Sequence, residues 1–189
     1  MGRTDRNEQV VLLDAARQPI GTMAKSRVHS RDTPLHLAFS VYAFGPDGRF
    51  LVTRRALDKV TWGGVWTNTC CGHPAPGERT EDAARRRLST ELGLTAVDLE
   101  LVLPDFAYRA VAPNGLVENE VCPVYVARVT ADPTPDPTEV VEWRWAQWSD
   151  FVTIALTAPW VISPWAAEQV RDLVATGVYE GVGRGTTQA

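Results

Sequence analysis

Cys70, Cys71 and His73 stand together in NTCCGHP at 68–74, and residues of these types could carry several kinds of chemistry. Such a cluster can ligate a metal, supply a reactive or acid–base thiol, form half of a disulfide, or pack as small buried residues. Adjacent cysteines rarely bridge each other, because the bond strains the peptide between them. Cys122, the third cysteine, completes no disulfide framework, and neither CxxC spacing nor a fourth thiolate is present for a structural zinc knuckle. The three histidines, His29, His36 and His73, all precede residue 74. A lone histidine is most often hydrogen-bonded filler, but three of them near paired carboxylates make a ligand set for a divalent metal. The carboxylates come from Glu118-Asn119-Glu120. Residues i and i+2 of a strand point to one face, so Glu118 and Glu120 sit side by side. Two carboxylates that close repel, which raises one pKa or recruits a cation.

The elements that must position these groups follow from pattern. QVVLL at 9–13 reads as a strand, followed by a turn around Arg17-Gln18-Pro19. Residues 36–44 read as a second strand, Gly45-Pro46-Asp47-Gly48 as a turn, and 49–55 as its hairpin partner. The polar stretch 25–36, with Pro34, is expected to be loop. The clearest helix spans 80–92, with Thr80 as expected N-cap, acidic residues in the first turn and Gly93 as C-cap. Ala84, Leu88 and Leu92 form its apolar row. Strands are expected at about 97–103, 106–111, 119–129 and 139–147, with a hairpin turn at Pro113-Asn114-Gly115 and an extended connection at 132–138. Helices near 149–156 and 164–176 close an α+β order, and residues 1–8 and 178–189 read as flexible tails of one domain.

Composition narrows the class. The chain has 189 residues, enough to bury a full core, and its hydrophobic fraction of 44% is that of a globular protein. No apolar run approaches the ~18 residues that span a bilayer. The polar N-terminus lacks a signal-peptide core, so a cytoplasmic protein with no membrane association is expected. A net charge of −4, from 19 basic and 23 acidic residues, gives no general attraction to nucleic acid. Seven tryptophans are either core or the lining of a pocket that handles a cation; core is expected for Trp143, Trp145 and Trp148.

From Gly72 the chain resembles the Nudix box, G-x5-E-x7-R-E-U-x-E-E-x-G-U, at full spacing: Gly72, Glu78, Arg86, Leu88, Glu91, Gly93 and Leu94 match. Arg87 stands where the box has its first helix glutamate, and Thr90 replaces another. In a Nudix hydrolase those glutamates hold the metals that set up attack on a diphosphate. A cation at 87, one helical turn from Glu91, repels metal and attracts phosphate. The resemblance implies a Nudix-like mixed sheet with flanking helices, an α/β/α sandwich, whose hydrolytic metal cluster has been dismantled.

Further segments sharpen the family. LHLAFS at 35–40, VTRRAL at 52–57, WTNTCCGHP at 66–74, PDFAYRA at 104–110, VENEVCPVY at 117–125 and PWVISPW at 159–165 resemble the signature segments of type I isopentenyl-diphosphate isomerases, collinear over roughly residues 9–175. That resemblance implies an enzyme moving a C=C bond between isopentenyl and dimethylallyl diphosphate, by adding a proton at one carbon and removing one from another. It implies Cys71 and Glu120 as catalytic groups on the two faces of the substrate, with Tyr108 in support of Glu120. It implies His29, His36, His73, Glu118 and Glu120 as ligands of one Mn²⁺, Zn²⁺ or Mg²⁺, and Glu91 as a ligand of Mg²⁺ that accompanies the diphosphate. Lys25, Arg55, Lys59 and Arg87 become the diphosphate cradle, and Trp165 the ring that faces the developing cation. Cys70 becomes a small buried neighbour, and Cys122 has no assigned role. Gly63-Gly64 departs from a proline–glycine pair more usual in the family, which suggests a more mobile loop. The implied partner is a small diphosphate, and the implied assembly a monomer or weak homodimer. A Nudix hydrolase of a nucleoside diphosphate derivative and a catalytically silent phosphate-binding domain are the competing readings. The first is opposed by Arg87 and Thr90, the second by the joint presence of Cys71, the histidines and the Glu118/Glu120 pair.

Overall fold

Phe39–Phe44 is buried at every position, as a strand must be when both faces of its sheet are covered. In the computed structural model, which describes residues 8–177, this strand lies at the centre of a seven-stranded sheet. The strands are β1 (Gln9–Leu13), β2 (Pro19–Ala24), β3 (His36–Leu37), β4 (Phe39–Phe44), β5 (Phe50–Arg55), β6 (Trp66–Thr67) and β7 (Cys70–Gly72). They continue with β8 (Asp98–Leu103), β9 (Ala107–Val111), β10 (Val117–Val121), β11 (Val124–Arg128) and β12 (Val140–Ala146). The helices are α1 (Lys25–Val28), α2 (Thr80–Leu92), α3 (Trp148–Thr157) and α4 (Pro164–Ala175), with a 3₁₀ turn at Pro159–Val161.

The seven-stranded sheet runs β12-β5-β4-β11-β8, with β6 on β5 and β7 on β4. Alternation along β4 sends Phe39, Val41 and Ala43 to one face and Tyr42 and Phe44 to the other. The first face packs on Ala84, Leu88 and Leu92 of α2, the row expected from sequence. The second packs on Phe151 and Ala155 of α3 and on Trp165, Val170 and Leu173 of α4. Helices on both faces make the expected α/β/α arrangement. Burying a leucine such as Leu88 or Leu92 fully stabilises the docking of α2 by roughly 1.5–3 kcal/mol each. Trp148 packs against Phe50 with ring centroids 5.5 Å apart, while Trp143 and Trp145 lie half-buried against the α2-side core.

A second sheet, β2-β1-β3-β10-β9, abuts the first. Two stretches expected as single strands change sheet within themselves. Residues 36–44 divide at Ala38 into β3 and β4, and 119–129 divides at Cys122-Pro123 into β10 and β11. The two chains stay in parallel partnership through the change. Glu120 pairs with His36 in the second sheet and Val124 with Ser40 in the first, bridged by Ala38 N–H to the Val121 carbonyl at 2.8 Å and Ser40 N–H to the Pro123 carbonyl at 3.0 Å. Pro123 has no N–H to donate, so the break falls where the ladder loses a donor.

Other expectations are corrected in detail. The stretch after the Arg17 turn is a strand, β2, and the expected loop at 25–36 begins with the single helical turn α1. Arg79, not Thr80, occupies the N-cap of α2; Thr80 is the first helical residue, and its hydroxyl meets the Tyr125 hydroxyl at 2.6 Å. Glu8, expected in a flexible tail, is tied down, its carbonyl accepting from Lys25 N–H at 2.8 Å and its carboxylate meeting Lys25 Nζ at 2.8 Å. The remainder of both expected tails lies outside the described residues. The expected hairpin of β4 with β5 closes through a turn at 45–49, but the two strands pair only at Phe44 and Phe50 before they part.

Gly93 ends α2 with φ of 65°, and a Cβ there would lie 2.1 Å from Thr134 Oγ1. Gly93→Ala is therefore expected to destabilise the fold by roughly 1–2 kcal/mol in denaturant unfolding, part of it restored by adding Thr134→Ala. An unchanged midpoint would contradict the left-handed cap.

Candidate active site

Strand register places the first group of side chains. In β10, Glu120 faces His36 of β3 on one side and Tyr108 of β9 on the other, because both are its direct ladder partners. Glu118, two residues earlier on the same face, reaches His29 just beyond α1, with Nε2 to Oε2 at 2.9 Å. Its other oxygen accepts from the Thr61 hydroxyl at 2.5 Å. His73, directly after β7, approaches Glu120 Oε1 at 3.1 Å, and His36 Nε2 approaches the same oxygen at 3.3 Å. The three imidazole centroids stand 5.1–5.9 Å apart.

This cluster fits a divalent cation. Ligand atoms of His29, His36, His73 and Glu120 all lie within 4.8 Å of one another. Glu118 stands one contact outside that tightest group, on His29. His36 Nδ1 lies 2.9 Å from the Pro34 carbonyl, which can only accept, so Nδ1 carries the hydrogen and the Nε2 lone pair of the neutral ring turns toward the carboxylate. His29 Nε2, His36 Nε2 and His73 Nδ1 are buried without a hydrogen bond; the first two sit at ion-pair distance from carboxylates without hydrogen-bond alignment. Lone pairs and a carboxylate turned to one point need a positive charge between them. Burial opposes ionisation of Glu120, but His36 and His73 in their protonated forms draw it well below the usual carboxylate range.

The cluster borders a cavity of about 220 Å³, and every residue to which the resemblance gave a catalytic, metal-binding or substrate-binding role lines it except His36, which is wholly buried behind. Tyr108 donates its hydroxyl to Glu120 Oε2 at 2.9 Å, and burial pushes its own pKa well up, so it remains a phenol. Cys71, on β7, points into the cavity with Sγ 3.3 Å from Ser40 Oγ and 3.2 Å from Asn68 Oδ1. Burial pushes the Cys71 thiol up to about 11, opposed by the Ser40 hydroxyl and the Arg55 guanidinium. Cys70 alternates to the other face of the strand and packs in the α2-side core. Cys122 is buried with Sγ 3.3 Å from Ser40 Oγ.

Part of the cavity wall is cationic. Lys25, Arg55, Lys59 and Arg87 face the cavity from α1, β5, the following loop and α2. Glu139 pairs with Lys59 and stands 3.9 Å from Arg87, which also pairs with Glu91 one turn along α2. Burial raises the pKa of Glu91, and Arg87 acts against it. Arg55 holds the Thr61 carbonyl at 3.2 Å and places its guanidinium carbon 5.4 Å from the centre of the Trp165 ring. Trp165 is buried, tilted against Tyr108 at 5.8 Å and edge-on to Trp62 at 5.4 Å. Arg55 Nε, Arg87 Nε and Glu91 Oε1 join the three histidine nitrogens as the buried side-chain atoms without a hydrogen bond among the described residues. That the residues of five of these six line one cavity, with His36 directly behind it, marks it as built for a charged ligand. In the loop over the site, a Cβ on Gly63 would lie 2.5 Å from the Leu57 carbonyl oxygen, so this backbone excludes the side chain that a proline would bring.

Sequence reasoning missed Glu139, Thr61, Ser40 and Asn68. Asn68 carried a signal, a buried-type polar residue beside the cysteines; Glu139 carried none, since only tertiary folding brings β12 to α2.

Residues 34–172 match the family model of the NUDIX domain. A Deinococcus radiodurans protein, DR0079, shares the fold with a TM-score of 0.66 at 19% identity, over 87% of this chain and 98% of that one. Similarity in sequence is much greater to proteins named isopentenyl-diphosphate Delta-isomerase. That of Frankia alni is 61% identical over 166 residues, 88% of this chain and 86% of its own. That of Mycolicibacterium vanbaalenii is 54% identical over 178 residues, 94% of this chain and 98% of its own. The chain belongs to the NUDIX domain family and, within it, to the isopentenyl-diphosphate Delta-isomerases.

A cation bound to the native fold alone stabilises it by about 2.7 kcal/mol at a hundredfold excess over its Kd. Chelator-treated protein is therefore expected to gain thermal stability on titration with Mn²⁺ or Zn²⁺, and His36→Asn to lose most of that gain. Equal gains in both proteins would place the cation elsewhere.

Proposed function

We infer that this protein interconverts isopentenyl diphosphate and dimethylallyl diphosphate. The observation that carries the reading is one cavity lined by a thiol, a carboxylate–phenol pair and four cationic side chains. The four cations suit a diphosphate that is held and not cut. Arg87 occupies a position where the hydrolases of the fold keep a glutamate, and its guanidinium answers phosphate charge directly.

The reaction adds a proton to the terminal alkene carbon and removes another from the CH₂ that becomes part of the new double bond. Cys71 and Glu120 serve as the acid–base pair, and because the isomerisation runs in both directions each acts as acid in one and base in the other. Tyr108 orients Glu120 through its 2.9 Å bond and stabilises the carboxylate when it forms. Between the two proton transfers positive charge builds on the tertiary carbon. The Trp165 ring face and the ionised carboxylate supply its electrostatic stabilisation. A divalent cation held by His29, His36, His73, Glu118 and Glu120 supplies charge neutralisation that locks Glu120 in one orientation. Mn²⁺, Zn²⁺ and Mg²⁺ all suit that donor set. Glu91 holds the Mg²⁺ that accompanies the diphosphate, beside Lys25, Arg55, Lys59 and Arg87. The protein acts on a small-molecule substrate, and no described helix is long and apolar enough to cross a membrane.

Incubation with isopentenyl diphosphate and Mg²⁺ in deuterated water is expected to yield dimethylallyl diphosphate carrying deuterium. Release of inorganic phosphate without exchange would point to a hydrolase instead. Cys71→Ala is expected to lower turnover by about 10²–10⁴-fold, the range for loss of a positioned acid–base group, while Cys70→Ala keeps most of it. Equal losses in the two variants would reverse the assignment of the cysteine pair.

A further inference from the structure

Asn68 is wholly buried between β6 and β7, and both ends of its side-chain amide are committed. Its Nδ2 donates to the Val41 carbonyl at 3.1 Å and to the Cys70 carbonyl at 2.9 Å. Carbonyls can only accept. Its Oδ1 receives the Trp165 indole Nε1–H at 3.0 Å, a group that can only donate, and the Thr67 hydroxyl at 2.8 Å. These one-way partners fix which end of the amide is oxygen. The remaining neighbour of that oxygen is Cys71 Sγ at 3.2 Å, so the thiol must present its hydrogen to Asn68. On its other side the sulfur meets Ser40 Oγ at 3.3 Å. Ser40 Oγ accepts from Gln169 Nε2 at 2.9 Å, which leaves the serine hydrogen for a sulfur, Cys71 or Cys122.

We propose that Asn68 is a positioning residue for the isomerisation: its single side-chain oxygen aims the Cys71 S–H and clamps the Trp165 indole, setting the acid–base thiol and the cation-facing ring relative to each other. This rests on the roles given to Cys71 and Trp165 above. Sharing one acceptor has a chemical consequence. When the thiol gives up its proton, Oδ1 keeps the indole and threonine donors, so no buried oxygen is left unsatisfied by the chemistry. Ser40 is then placed to donate to the sulfur that has lost its hydrogen. An apolar residue at 68 would release the thiol; a residue with only a donor there would oppose it.

The test is the infrared S–H stretching band of Cys71 in metal-replete full-length protein, isolated by subtracting the spectrum of Cys71→Ala. Trp165→Phe removes a competing donor while leaving Asn68 untouched, and is expected to strengthen the S–H bond to Oδ1 and move the band to lower frequency. Asn68→Leu is expected to move it to higher frequency. In Asn68→Ala, kcat is expected to fall by about 10²-fold with KM changed by less than about twofold, because the amide hydrogen-bonds to none of the cradle residues Lys25, Arg55, Lys59 and Arg87. An S–H band that does not move in Trp165→Phe overturns the proposal even if the Asn68 variants do not fold; so does unchanged kcat in a folded Asn68→Ala. The spectroscopic reading needs no substrate. Protein without isomerase turnover but with the band shift would defeat the functional reading alone, and active protein with a static band would defeat this proposal alone.

Discussion

The site depends on an unzipped hairpin. β4 and β5 leave their turn paired at Phe44 and Phe50 and then diverge, so the interior of the sheet opens into a fork. An open fork leaves backbone donors and acceptors in a dry core, which is costly unless each finds another partner. Residues 66–72 supply them. β6 pairs with β5 and β7 with β4, and where neither ladder reaches, side chains take over. Thr69 Oγ1 donates to the Leu51 carbonyl at 2.7 Å and accepts from Ala43 N–H at 2.8 Å, and Thr53 Oγ1 donates to the Asn68 carbonyl at 2.8 Å. The run Thr67-Asn68-Thr69 is therefore the plug that lets the sheet split. Cys71 and His73 take their positions at the site from that plug.

A second constraint sets where the metal ligands stand relative to the thiol. The parallel chains 36–44 and 117–128 cross together from one sheet to the other, changing sheet at Ala38 and at Cys122-Pro123. Before the crossing they present His36 and Glu120 to each other; after it they build the central strands beneath Cys71. One pair of strands thus carries part of the proposed ligand group and the floor of the proposed acid–base site. The electrostatics divide along the same line. Carboxylates face imidazoles on the side of the second sheet, and Lys25, Lys59 and Arg87 face Glu8, Glu139 and Glu91. These three cations of the proposed cradle already have carboxylate partners, so a diphosphate bound there would exchange ion pairs with them rather than meet bare charge.

Much of this was legible in the residues. The 3.6-residue apolar row of 80–92, its Gly93 cap, the two-residue alternation that puts Glu118 beside Glu120, and the Asn114-Gly115 turn all rest on local periodicity and backbone preference. Departures from local pattern were legible too, above all Arg87 in a row of expected glutamates. The strands that change sheet were not. A buried run such as HLAFSVYAF looks the same to a periodicity argument whether it stays in one sheet or passes between two, since the break costs one ladder position and no hydrophobic residue. Thr80 failed as an N-cap for a similar reason: its hydroxyl is taken by Tyr125, a partner 45 residues away.

By itself the sequence determined the chemistry available and the local elements carrying it: which residues can ligate, donate or hold a phosphate, and on which face of which helix or strand they lie. Only the tertiary structure decided which of them meet. It put Glu139 beside Lys59 and Arg87, Ser40 between Cys71 and Cys122, and Asn68 between the thiol and the Trp165 indole. The physical reason is that these contacts join groups far apart in the chain through single hydrogen bonds and ion pairs. No local propensity encodes such contacts; they exist only once burial has fixed both partners in place.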